Sequence, residues 1–355
     1  MGRAGVAAVY LVHGTFAGND ALGLLTELER FAPRMTASLR RWFKSAVNAV
    51  IGETGNFTSA YAARMEAALS AGAGRPIPVQ FFHWSSQNTH IARADGAVRL
   101  IDELARVAPT ISPPTAAPEV ATGGSGSIER PPRILLWGHS HAGNVFALLT
   151  NLLGGDAASR GEFFQAAESF YRSRRHARVD YPAWQRVEEL LSTSTHPLQR
   201  VALDFVTFGT PIRYGWETEG YAKILHVINH RPTSAEREWL AAFPPRLHRV
   251  VMAADGDFVQ QIGTAGSGFP VIPLALRTFL ADRRVRRLFA GRHSRWLFRH
   301  MSAGMRVPHE GPTLLVDYAE TARFPWTHLF GHALYTRTHW LPLHCELVAR
   351  EFYGD

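Results

Sequence analysis

The stretch RILLWGHSHAGNVFALLTNL, Arg133 to Leu152, constrains the fold more than any other part of the chain. Its apolar residues Ile134 to Trp137 run into Gly138 and read as a buried strand. From Ala142 onward a small-residue and then apolar series reads as a helix. Between them stands His139-Ser140-His141. Ordinary turns use Asn, Asp, Gly or Pro, so a serine between two histidines asks for a reason. A tight strand-to-helix turn would present Ser140 above a sheet, beside the free N–H groups of a helix N-terminus that stabilise developing negative charge. Gly138, Ala142 and Gly143 are the small neighbours such a turn needs. The pattern departs mildly from Gly-x-Ser-x-Gly, because Ala142 holds the fifth position and Gly143 follows it. The bland alternative is a chance turn in which Ser140 has no chemical role.

Similar apolar runs recur along the chain. VAAVYLV (6–12), PVQFFHW (78–84), VALDFVTFGTP (201–211), KILHVINH (223–230), LHRVVMAADGD (247–257) and TLLVDY (313–318) all read as strands. Helical spacing marks 21–47, 58–71, 89–108 and 339–352. The apolar content, 46%, is enough to cover a sheet on both faces. Alternating strands and helices predict an α/β fold: a doubly wound, mostly parallel sheet in a single domain over 1–355. Three segments interrupt the alternation. PTISPPTAAPEVATGGSGSIERPP (109–132) has no apolar period and reads as a flexible excursion. Residues 154–199 read as a helical cap, and 265–310 as an arginine-loaded helical insertion.

In doubly wound sheets, ligands gather at the carboxyl ends of the strands. The first strand ends at His13-Gly14, and a glycine there lets a backbone N–H turn toward Ser140. One oxyanion donor would be the N–H of Thr15, with Phe16 as alternate; the other would be the N–H of His141, the residue after the nucleophile. His13 itself reads as a histidine that orders the loop. A chain order of Ser, then acid, then His puts the acid after residue 250, where Asp255 and Asp257 stand. Asp255-Gly256 has the form of a turn, which favours Asp257. The base must follow the last strand, which leaves His328, His332, His339 and His344. His332 follows Gly331 in a loop, whereas His339 opens a helix. His139 and His141 flank the serine, with side chains expected to diverge from it into packing. No metal-ligand spacing is present, and no cofactor is implied.

Net charge is +8, nearly all from arginine, since Lys44 and Lys223 are the only lysines. No nucleic-acid motif accompanies that charge, so no nucleic-acid partner is expected. The single cysteine, Cys345, excludes an intrachain disulfide and suits a reducing compartment. No apolar run approaches ~18 residues, the length of a membrane span. The N-terminal apolar run lacks a cleavage site, so a cytoplasmic protein is expected.

These residues resemble the α/β-hydrolase superfamily, and more closely bacterial lipase- and esterase-like serine hydrolases. The likeness rests on His13-Gly14-Thr15, the elbow GHSHAGNV (138–145), TFGTP (207–211) and GHALY (331–335). FHWSSQNTHIAR (82–93) is also similar to a Trp-Ser-Gly-x-Asn-Ser-x-x-x-Arg stretch, with Ser86 and Thr89 replacing its Gly and second Ser. The resemblance implies a carboxylic ester hydrolase with Ser140 as nucleophile, His332 as base and Asp257 as its orienting acid. The Gly-His-x-x-Tyr likeness is the main reason to prefer His332 to His339. A small-molecule or lipid ester is the expected substrate. Read from its own residues, the basic segment 265–310 is a helical pair packed on the sheet with a solvated basic rim, or else a lid whose arginines make a peripheral membrane contact with anionic lipid headgroups. An amidase, an acyltransferase or a non-catalytic scaffold of the same fold is the alternative.

Overall fold

The computed structural model describes residues 1–14, 53–71, 73–111, 131–172, 181–211, 213–232, 246–263, 276–289, 310–319 and 325–354. Thr15 and Phe16, the helix expected over 21–47, most of the excursion and the two ends of the basic insertion lie outside them.

Six strands form one sheet: β1 (Val6–Val12), β2 (Val79–Phe82), β3 (Arg133–His139), β4 (Ala202–Phe208), β5 (Lys223–Asn229) and β6 (Thr313–Val316). Their order is β2-β1-β3-β4-β5-β6, and every pairing is parallel. The strands are mostly apolar because both faces are covered, and every residue of β1 is apolar and buried. Alternate residues feed two separate cores. Tyr10, Val12, Ile134, Leu136 and Phe205 face one core with α2 (His90–Ile111) and α3 (Ala142–Gly154). Val9, Leu11, Leu135, Trp137 and Val206 face the other, with α1 (Ser59–Ala71).

The segment 154–199 supplies α4 (Ala157–Tyr171) and α5 (Pro182–Ser192). Trp184 of α5 is fully buried, stacked on Phe163 and Tyr171 at 5.8 and 4.9 Å. Its indole N–H donates to Asp95 of α2 at 2.8 Å, and Arg186 binds Asp102 of α2 at 2.9 and 2.7 Å. These helices are therefore bonded onto α2 and extend its core. In the basic insertion, α6 (Leu276–Leu288) buries Thr278, Ala281 and Val285, and its Arg277 donates to the Ser169 carbonyl of α4 at 2.9 Å. Helix α7 (Leu341–Tyr353) closes the chain against the second core. Among the described residues, no helix is long and apolar enough to cross a membrane.

Two expectations are corrected. LHRVVMAADGD is not a strand: Leu247–Val251 is one short helical turn, followed by turns to Asp255. Its apolar residues do not enter a sheet, and Leu247 is 79% exposed. Helix α2 also runs past residue 108, through Pro109 to Ile111, so the excursion begins later than composition suggests. Proline in the last turn forfeits one intrahelical bond, and Thr110 caps that turn by donating to the Val107 carbonyl at 2.7 Å.

The strand order sets the place of the site. From β1 the chain crosses to β2 on one side; from β3 onward it proceeds to the other. The carboxyl ends of β1 and β3 thus flank the topological switch point, where such sheets leave a crevice. Gly14 follows one of these strands and Ser140 the other.

Candidate active site

Ser140 lies between β3 and α3 with φ of 57°, a left-handed conformation that costs a non-glycine residue roughly 1–3 kcal/mol. The turn is locked on three sides. Ser140 N donates to the Phe208 carbonyl at 2.8 Å, Gly143 N donates to the Ser140 carbonyl at 3.1 Å, and Thr210 Oγ1 donates to that same carbonyl at 2.8 Å. A Cβ on Gly143 would collide with the Thr210 side chain. This is why the glycine requirement falls at 143, while the methyl of Ala142 is tolerated. A Cβ on Gly14 would lie 2.5 Å from Ser140 Cβ and 3.1 Å from its Oγ, so the end of β1 presses directly on the serine.

The loop that carries Gly14 is held from behind. Ser86 Oγ donates to the Gly14 carbonyl at 2.8 Å and lies 2.9 Å from His13 Nδ1, and Trp84 Nε1 donates to the His13 carbonyl at 2.8 Å. His13 stacks on His83 and Trp84. It orders the loop, as its sequence context suggested. Ser86 has φ of 65°, the left-handed conformation that suits the glycine of the similar stretch.

His332 and Asp257 meet. His332 Nδ1 lies 2.7 Å from Asp257 Oδ2, and Asp257 is fully buried. The same oxygen accepts from Tyr335 Oη at 2.9 Å, and Asp257 Oδ1 accepts from Gln260 N at 2.8 Å. Asp257 N donates to the Asn229 carbonyl at 2.9 Å, which docks the acid on the end of β5. Gly209 has φ of 58°, and a Cβ there would strike Asp257 Oδ2 and the Tyr335 ring. Burial, reinforced by the Asp257 charge, holds the Tyr335 phenol well above its usual range, so it stays a donor.

The imidazole is thereby fixed through one nitrogen. His332 Nε2 is buried with no hydrogen-bond partner among the described residues. The His332 ring lies 4.6 Å from the His139 ring, and His139 Nε2 contacts the His332 carbonyl at 2.9 Å. His139 directly precedes Ser140, and its side chain goes into packing and a loop hydrogen bond, as expected, with the loop of His332 as its partner. No hydrogen bond joins Ser140 Oγ to His332 Nε2. Such contacts are commonly loose before substrate binds and tighten in the reacting complex.

His141 opens α3, and its N–H is among the first helical N–H groups, which lack intrahelical acceptors. Its Nδ1 lies 3.0 Å from Asn144 Nδ2. Burial above all pushes His139 down to about 3, and His141 lies well below the usual histidine range for the same reason. Both flanking rings are therefore neutral near pH 7.

The alternates are placed elsewhere. Asp255 is fully buried but ion-paired with Arg249, at 3.0 and 3.2 Å from its Nε. His339 is exposed and lies against Trp340. His344 is buried at 2.6 Å from the Tyr318 hydroxyl, and His328 Nδ1 faces Gly331 N at 3.1 Å. Among the described residues, no group of three or more His, Cys, Asp or Glu could hold a metal. Compared with known proteins, the chain matches no family model, no curated protein and no solved structure. The residues themselves therefore carry the functional argument. Sequence reasoning missed the roles of Tyr335, Gln260 and Asn229. Only the tyrosine left a signal, at a fixed spacing after His332.

Proposed function

We propose that the chain is a serine hydrolase of the α/β-hydrolase type that cleaves carboxylic esters. The observation that carries this is His332: its Nδ1 is held by buried Asp257, its Nε2 has no hydrogen-bond partner among the described residues, and its ring packs 4.6 Å from that of His139, the residue before Ser140. That tautomer leaves a basic nitrogen for the serine proton. Ser140 Oγ attacks the acyl carbonyl as its proton passes to His332 Nε2. The tetrahedral oxyanion is held by the N–H of His141 and by the N–H of Thr15 or Phe16, which follow Gly14 in the sequence. His332 then protonates the leaving alcohol. Water deprotonated by the same nitrogen releases the acid from Ser140. The reaction uses no cofactor. Neutral His139 and His141 add no positive charge against the imidazolium that forms on His332.

Amide hydrolysis or acyl transfer would use the same groups, and product analysis after acyl-enzyme formation separates them. The basic helix α6, with Arg283, Arg284, Arg286 and Arg287 exposed, is the element we assign to a peripheral lipid surface. The direct test of the reaction is hydrolysis of p-nitrophenyl butyrate by the wild type, Ser140→Ala and His332→Ala. Turnover that survives both substitutions would rule the proposal out.

A further inference from the structure

Arg93 belongs to the stretch FHWSSQNTHIAR, which the hydrolase chemistry does not use. It is fully buried in α2. One terminal nitrogen donates to Asn88 Oδ1 and the other to the Tyr214 hydroxyl at 3.3 Å, while Nε has no hydrogen-bond partner among the described residues. The next arginine in this region, Arg213, precedes Tyr214 in the loop after β4. It is half-buried and makes no hydrogen bond or ion pair among the described residues. Tyr214 also reaches His90 Nδ1, at 2.9 Å from its hydroxyl. Asp282 is the carboxylate beside this cluster, and the Arg93 charge acts on it, but it caps α2 by accepting from Ile91 N at 2.9 Å, and among the described residues no ion pair joins it to either arginine.

Two guanidinium groups so placed are expensive. Burying cations without an ion-paired countercharge is costly, and like charges add repulsion. Burial, then the Arg93 charge, pulls the Arg213 guanidinium below its ordinary value. Burial, followed by Arg93 and Arg213, lowers His141, so both charges act on the residue next to the nucleophile. The covalent path is also short. Thr210 binds the Ser140 carbonyl, and Arg213 is three residues further on, a span of at most about 11 Å. Asn144 of α3 fastens the same loop by donating to the Pro211 carbonyl at 2.8 Å.

We propose that Arg213, backed by Arg93, forms a subsite beside Ser140 that binds an anionic group, a carboxylate or a phosphate, on the ester substrate. This deepens the hydrolase reading and rests on it for the word substrate. Arg213 makes the contact from the half-exposed loop. Arg93, held by Asn88 and Tyr214, supplies the second positive charge from within the core. A planar guanidinium with unused donors suits either anion through paired, charge-assisted hydrogen bonds.

The test combines binding and turnover on the full chain. Calorimetric titration with glutarate and with glycerol 3-phosphate, at low ionic strength, would use the wild type, Arg213→Gln and Arg213→Lys. The wild type should bind at least one of the two, and the better one identifies the anion. Arg213→Gln should weaken that binding by about tenfold or more, and Arg213→Lys should recover part of it, which separates charge from folding. In parallel, the ratio of kcat/KM for mono-p-nitrophenyl glutarate over p-nitrophenyl butyrate should fall about tenfold in Arg213→Gln. No binding of either anion by the wild type, or an unchanged ratio in Arg213→Gln, would overturn the subsite. A protein inert toward both esters would sink the hydrolase reading instead, and the titration would still decide the anion site.

Discussion

Asp255 and Asp257 are both fully buried, yet they have different partners. Asp255 is closed off by Arg249, and Asp257 collects His332, Tyr335 and the Gln260 N–H. If the proposed reaction holds, Asp257→Asn should lower kcat by roughly 10⁴ with little change in folding, because it would disturb the tautomer of His332. Asp255→Ala should instead leave Arg249 unpaired and cost roughly 1–3 kcal/mol of stability while largely sparing kcat. Denaturant melts and ester kinetics on the two variants check this, and a reversed pattern would move the acid to Asp255. The preference for Asp257 was legible because Asp255-Gly256 has turn chemistry, and Gly256 has φ of 99°. The support from Tyr335 and Asn229 was not legible, since it arises only when β5 and the loop after residue 328 meet in space. Gly14→Ala puts a methyl 2.5 Å from Ser140 Cβ, so activity should fall at least about tenfold even where the chain still folds.

Strands were readable where they are buried on both faces. The run at 6–12 is recovered as β1 residue for residue, because a central parallel strand is apolar without interruption. LHRVVMAADGD misled for the same reason: a short apolar run has no period by which a strand can be told from a helical turn. The acid expected after that strand is instead carried to the end of β5 by the bond between Asp257 N and the Asn229 carbonyl. For α6, the sequence showed an apolar and basic mixture but not which residues face outward. Ala281 and Val285 turn inward, and Leu276, Phe279, Leu280 and Leu288 remain exposed beside the arginines. If α6 meets lipid, the protein should co-sediment with anionic vesicles at low salt, and Arg→Gln replacement at 283, 284, 286 and 287 should abolish it. Equal binding to neutral vesicles would contradict that assignment. Trp184→Ala should cost about 3–5 kcal/mol, because the residue is the centre of the α4–α5 packing on α2.

The whole molecule carries several histidines in its interior. Burial pushes His139 and His344 down to about 3 and His226 to about 4, against an ordinary value of 6.5. They stay neutral in the folded chain and protonate near 6.5 when it unfolds. The unfolded chain therefore binds more protons below 6.5, so stability is full above that value and declines as pH falls toward the lowered values. Melting temperatures should begin to drop below about pH 6.5, before most carboxylates titrate, and a flat profile down to about pH 5 would contradict the buried-histidine account. The all-parallel sheet, its order and its switch point set Gly14 against Ser140, and they set Asp257 against His332, whose ring packs on His139, the residue before Ser140. The sequence showed the residue types and their order. It did not show that His139 would pack on His332 or that Arg93 and Arg213 would share a cluster, because both depend on packing across elements. The central claim is that Ser140 is a nucleophile activated by His332. Labelling with a fluorophosphonate probe, read by peptide mass spectrometry, tests it most directly. The account predicts one covalent adduct on Ser140, lost in Ser140→Ala and strongly slowed in His332→Ala; a folded wild-type protein that stays unlabelled, or an adduct on another residue, would contradict it.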